Sequence, residues 1–128
     1  MEDQMGKLLG YGFVFLMVLL GVYGQLMLKY RILLAGALPE GWFPKFIFVL
    51  RLFGDPWILS AFASAFLGSL CWMAAMTKLP LSTAYPFTSL TFVLILIFSA
   101  LFFQEPIGFY KLLGVALIIG GIIVANWA

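Results

Sequence analysis

Residues 56–104 read PWILSAFASAFLGSLCWMAAMTKLPLSTAYPFTSLTFVLILIFSALFFQ, and Lys78 is the only charge among them. A helix rises about 1.5 Å per residue and a bilayer's hydrocarbon core is about 30 Å thick, so roughly 20 apolar residues in a row make one crossing. The stretch supplies two crossings, Pro56 to Thr77 and Leu79 to Gln104. Inside lipid the backbone amides have no water to bond, which makes each of them a helix. Lys78 and Pro80 leave almost no chain between them, so the two helices form a tight antiparallel hairpin.

The same pattern continues outward. Leu8 to Leu28 carries no charge, and Ile107 to Trp127 is interrupted only by Lys111, in a first turn where a long side chain snorkels to the interface. Glu2 and Asp3 sit in a tail before the first span. That span lacks a basic n-region and a small-residue cleavage pattern, and it is longer than a signal-peptide core; it is expected to be a retained helix. Pro106 opens the fourth helix after the Gln104-Glu105 turn. The one long connection, Lys29 to Asp55, holds Pro39, Gly41, Pro44 and Gly54 around an aromatic and basic run from Trp42 to Arg51. Such interleaving suits a short helix in the interface plane, with a plain loop as the alternative. The expected fold is an all-α integral membrane protein of one domain, 1–128. Its spans are 8–28, 56–77, 79–104 and 107–127, with an interfacial connection over 29–55.

Composition agrees. The chain is 65% hydrophobic and 9% charged, with a mean hydropathy of +1.15, where soluble domains carry about a quarter charged residues. Seven basic and five acidic residues are scattered singly. No basic cluster exists to neutralise a row of phosphates, so no nucleic acid partner is expected. The chain has no histidine and one cysteine, Cys71. That excludes a disulfide framework or a Cys/His metal site within one chain, and Cys71 reads as a small hydrophobe. No Gly-rich phosphate loop and no nucleophile beside a base is present, so neither an enzyme nor a cofactor is expected. No carboxylate lies mid-span, where proton-coupled carriers place one. Four spans put Lys7 and Lys78 on the side of the termini and Lys29, Arg31, Lys45, Arg51 and Lys111 on the other. By the positive-inside rule the termini are expected outside.

Polar residues near the spans are few. Gln25 and Lys29 lie one turn apart on one face of the first helix, with Gly21 and Gly24 sharing or bordering it. They suit an anionic head group, or else Lys29 anchors the helix end and Gln25 bonds a neighbouring helix. In the third helix Pro86 removes an amide donor and kinks the first turns, and Tyr85, Ser89 and Phe92 form a stripe that suits either packing or binding. Glu105 either holds a nearby base such as Lys111 or sits in water. In the fourth helix Gly114, Gly120 and Gly121 make the expected oligomer contact, with Gly114 and Gly121 on one face. Asn126 and Trp127 stand at its end.

The segment Leu79-Pro80-Leu81-Ser82-Thr83-Ala84-Tyr85-Pro86 is followed by Ser89-Leu90, Phe92-Val93 and Glu105-Pro106. It resembles the small-multidrug-resistance-like branch of the drug/metabolite transporter superfamily. Gly24-Gln25-Leu26 with Lys29, and Gly114 with Gly120-Gly121 and Asn126, fit the same branch. The likeness covers all four spans but not the long first connection. It is nearest to the flippase subunits for aminoarabinose-phosphoundecaprenol. Drug-exporting members carry a membrane glutamate in helix one, and its position is Gly21 here. Their aromatic drug-site residue falls at Thr88, and their helix-three glycine pair at Leu90 and Phe92.

The resemblance therefore implies a bacterial inner-membrane subunit that moves an anionic polyprenyl-phosphate-linked sugar. It implies a small-multidrug-resistance-like bundle that pairs with itself or with a related small subunit, since four helices are too few to enclose a sugar head group. Lys29 would attract the phosphate, Gln25 and Tyr85 would donate hydrogen bonds, and Ser89 and Glu105 would complete the substrate site. A small-molecule or cation exporter and a non-transporting partner of a glycosyltransferase are the rival expectations.

Overall fold

A computed structural model describes residues 2–127, with side chains from 4 onward; Met1, Ala128 and the side chains of Glu2 and Asp3 lie outside the described set. The described residues form helices without strands. In chain order these are α1 (Glu2–Ala35), α2 (Trp42–Leu52), α3 (Pro56–Met76), the short α4 (Leu81–Ala84), a 3₁₀ segment (Tyr85–Ser89), α5 (Leu90–Phe102) and α6 (Phe109–Ala125). Three stretches, Gln4–Ala35, Pro56–Met76 and Leu81–Phe102, are long and apolar enough to cross a membrane; Phe109–Ala125 is a shorter apolar helix.

Helix α1 extends past both ends of its charge-free stretch. Lys29 to Ala35 contains no glycine or proline, so the helix continues until Gly36, where φ reaches +98°. With 34 residues it is about 51 Å long, so its end turns stand beyond a 30 Å core. The aromatic-basic run forms α2, which buries no residue. Asp55 starts α3: its Oδ1 accepts from the Trp57 N–H at 2.9 Å, and Pro56 takes the first helical position, where a missing donor costs nothing.

Helices α1 and α3 form the body of the molecule, antiparallel and close. Small residues on α3 make this possible. Gly24 of α1 approaches the Ala61 carbonyl so closely that a Cβ there would sit 3.1 Å from the oxygen, and Gly68 faces Met17 and Leu20. Ser64 donates to the Leu20 carbonyl at 2.6 Å. At the far end the turn after α3 lies on α1 at Gly10, where a Cβ would meet Leu79 Cγ at 2.7 Å. There Val14, Ala75, Leu79 and Ala84 are buried together, flanked by Tyr11, Phe13, Met17, Trp72 and Phe87.

At Pro86 the helix tightens to 3₁₀ geometry rather than breaking. The Thr88 hydroxyl bonds the Tyr85 carbonyl at 2.6 Å, the carbonyl of the residue just before the proline. Helix α5 packs along α1, while α6 rests on the 3₁₀ segment and on α5 and buries none of its residues.

Candidate functional site

The site is built where α1 and α5 end side by side. Gln25 and Lys29 are exposed on α1, one turn apart. Helix α5 stops at Phe102. Gln104 then takes φ +53°, the left-handed conformation, and the Glu105 N–H returns to the Ser99 carbonyl at 3.4 Å. This reversal carries Glu105 back to α1, with its Oε1 3.7 Å from Lys29 Nζ. The base that Glu105 meets is thus Lys29 rather than Lys111. Both side chains are about half exposed, 51% and 43%, so in water the pair contributes at most about 1 kcal/mol. It sets a cation and an anion side by side on the flank of α1.

Between α1 and the end of α5 lies an apolar groove of about 550 Å³, lined by Tyr23, Leu26, Met27, Tyr30, Leu33, Leu34, Phe102 and Phe103. Two polar ties fix this end of α1 to α3. The Tyr23 hydroxyl and Ser60 Oγ are 2.9 Å apart, and Arg31 Nε donates to Asp55 Oδ2 at 2.6 Å. Partial burial pushes the Asp55 carboxyl up. The Arg31 hydrogen bond, the Trp57 and Ile58 amides and the Arg31 charge outweigh it, and together hold the carboxyl below its ordinary value.

The other candidate residues lie elsewhere. Tyr85 stacks edge-on against Trp72, with ring centroids 6.0 Å apart. With Met17, Gly68, Ser69 and Thr88 these two line a separate cavity of about 270 Å³. Ser89 is half-buried on the 3₁₀ segment. Met17 is twelve residues from Lys29, about 18 Å along α1, so the structure brings Lys29 and Glu105 together, with Gln25 one turn along α1, and leaves Tyr85 at another depth. Gly24 is turned towards α3 and serves packing, while Gly21 opens onto free space. A Cβ at Gly114, Gly120 or Gly121 would touch nothing. Cys71 is a free, half-buried thiol. No group of three metal-ligating side chains occurs among the described residues.

A cation on α1 and an apolar, aromatic-lined groove on the same part of that helix suit an amphiphile with an anionic head. The model of the EamA-like transporter family matches residues 4–127.

The chain belongs to the EamA-like transporter family.

This EamA-like chain is similar to several proteins named as the probable 4-amino-4-deoxy-L-arabinose-phosphoundecaprenol flippase subunit ArnE. That of Aeromonas hydrophila is 43% identical over 67 residues, which make up 52% of this chain and 59% of the relative. That of Yersinia pseudotuberculosis is 42% identical over 71 residues, 56% and 62% of the two chains. That of Pseudomonas savastanoi pv. phaseolicola is 35% identical over 104 residues, 81% and 85%. The match therefore spans about six tenths of the first two relatives and most of the third. No solved structure matches the chain. Family and helix lengths together make this EamA-like protein an integral membrane protein of a transporter family.

Proposed function

We propose that the chain is a small flippase subunit that moves an anionic polyprenyl-phosphate-linked sugar across the bacterial inner membrane. In this reading α1, α3, the segment from α4 through α5, and α6 are the four spans. They form a small-multidrug-resistance-like bundle that works as a dimer with itself or with a related small subunit. The observation that carries the reading is Lys29 beside Glu105, 3.7 Å apart, at the level where α1 and the end of α5 also border an apolar groove. A phosphate displaces the Glu105 carboxylate from Lys29, Gln25 donates one turn away, and the polyprenyl chain lies along Tyr23, Leu26, Tyr30 and Phe103. The names of the relatives supply the substrate class. Exchange against Glu105 keeps the lysine paired when the site is empty, so neither an unpaired cation nor a permanently held lipid results. Glu105 is occupied in this way, and Gly21 offers no carboxylate, so nothing here supports proton-coupled cation export.

The test is translocation in proteoliposomes loaded with a polyprenyl-phosphate sugar, with an impermeant reagent reporting head groups that reach the outer leaflet. Wild type is expected to expose them faster than protein-free vesicles. Lys29→Ala should slow this by about tenfold or more, the loss of one charge-assisted contact. Undiminished transport by Lys29→Ala would remove the phosphate role from that residue. A rate equal to empty vesicles, with folded dimer present, would overturn the flippase reading for this chain acting by itself.

A further inference from the structure

One stripe of α1 reads Lys7, Tyr11, Val14, Val18, Val22, Gln25, Lys29, spaced by three and four residues and therefore on one face. It is polar at both ends and apolar between. Val14, Val18 and Val22 are all buried, and Val14 and Val18 line an apolar cavity of about 380 Å³ with Tyr11, Phe15, Phe87 and Leu90, so the stretch between the two polar ends is apolar. Lys7 and Lys29 are 22 residues apart on a continuous helix, about 33 Å, which matches the roughly 30 Å hydrocarbon core.

The Lys7 end has its own cavity. Lys7 and Tyr11 of α1, Leu79 and Pro80 of the turn, Thr83 of α4 and Asn126 after α6 converge around about 210 Å³. Polar groups dominate here, unlike the groove at the other end. Tyr11 and Thr83 bring their hydroxyls to this lining. Asn126 Nδ2 uses one hydrogen on the Ile122 carbonyl at 3.0 Å and keeps another. The Lys78 side chain passes alongside Gly6, adding a second cation to this end.

We propose that Lys7, Tyr11, Thr83 and Asn126 form a second phosphate-binding site, which holds the phosphate of the same lipid in the opposite leaflet. This rests on the flippase reading and deepens it: a carrier with a head-group station at only one face would bind its lipid without a place to deliver it. An ammonium, two hydroxyls and an amide are all donors to phosphate oxygens, and none is a carboxylate that would repel them.

The test is the binding stoichiometry of a short-chain polyprenyl monophosphate, measured by native mass spectrometry on the full chain in phosphatidylcholine nanodiscs. Two equivalents per chain are expected for wild type. One should remain in Lys7→Ala, in Asn126→Leu and in Lys29→Ala, and none in the Lys7→Ala/Lys29→Ala double variant. Lys7→Arg should regain the second equivalent, which separates lost charge from lost fold. A single wild-type equivalent that disappears with Lys29→Ala overturns the second site and leaves the flippase reading standing. No binding at all overturns both. Displacement of one equivalent by inorganic phosphate would make the Lys7 cavity a site for the free anion and overturn its lipid role.

Discussion

Gln104 sets the geometry of the Lys29 site without touching it. Its φ of +53° reverses the chain after α5 and delivers Glu105 to Lys29. A residue with a Cβ pays about 1 kcal/mol for that conformation. Gln104→Gly should therefore raise thermal stability by about that amount, and the β-branched Gln104→Val should lower it and weaken lipid binding. Glu105→Gln should leave the fold intact and bind a polyprenyl phosphate more tightly than wild type, because Lys29 no longer has a competing carboxylate; equal affinity would show that the pair does not gate the site. At Asp55 the prediction concerns pH. Its folded carboxyl titrates below the ordinary carboxylate range, so the folded state favours the ionised form. The stabilisation is complete above the unfolded value of about 3.9 and is lost as pH falls through the lower folded value. Melting temperature in detergent should thus be level from neutral pH down to the upper end of the carboxylate range and then fall. In Asp55→Asn, which keeps an N-cap but loses the ion pair with Arg31, that fall should be shallower.

Among the elements, the α1–α3 pair depends on the absence of side chains at particular places. Gly10 and Gly12 make a controlled comparison. A Cβ at Gly10 runs into Leu79, itself buried in the core, while one at Gly12 meets nothing. Gly10→Ala should cost about 1–3 kcal/mol through overpacking, and Gly12→Ala should be neutral or gain up to about 1 kcal/mol; thermal melts of the two variants would separate these effects. The long apolar runs make the helices legible in the sequence, because their length against the bilayer leaves few alternatives. Gln25 and Lys29 are legible as neighbours because helical spacing puts them on one face. The partner of Lys29 is not legible. Glu105 lies far along the chain and arrives through a left-handed glutamine, a conformation that glycine or asparagine would have advertised and glutamine does not. The Arg31–Asp55 tie is half readable: Asp-Pro before an apolar run marks a helix cap, but nothing local names Arg31 as its second ligand. Tyr85 shows the opposite limit, since a motif shared along the sequence says nothing about the depth at which its side chain sits.

For the molecule as a whole, α6 is the element left over. It buries no residue and its three glycines face open space, a surface suited to close approach by another helix. With Cys71 first replaced by serine, a cysteine at Gly114 or Gly121 is expected to cross-link two copies, or a copy and its related subunit, in membranes. Leucine at the same positions is expected to shift the protein towards monomer on detergent gel filtration. Failure of both would move the interface to another face. The length of α6 carries one more consequence. Its 17 residues reach about 26 Å, several ångströms short of an ordinary bilayer core and about half the reach of α1. If α6 is the fourth span of the proposed bundle, a membrane that meets both helices must be pinched beside it, at a cost of fractions of a kcal/mol per ångström. The head group of a passing lipid would then face its shortest hydrocarbon path at that flank, and turnover would depend on the chain length of the surrounding lipids, fastest where the bilayer is already thin.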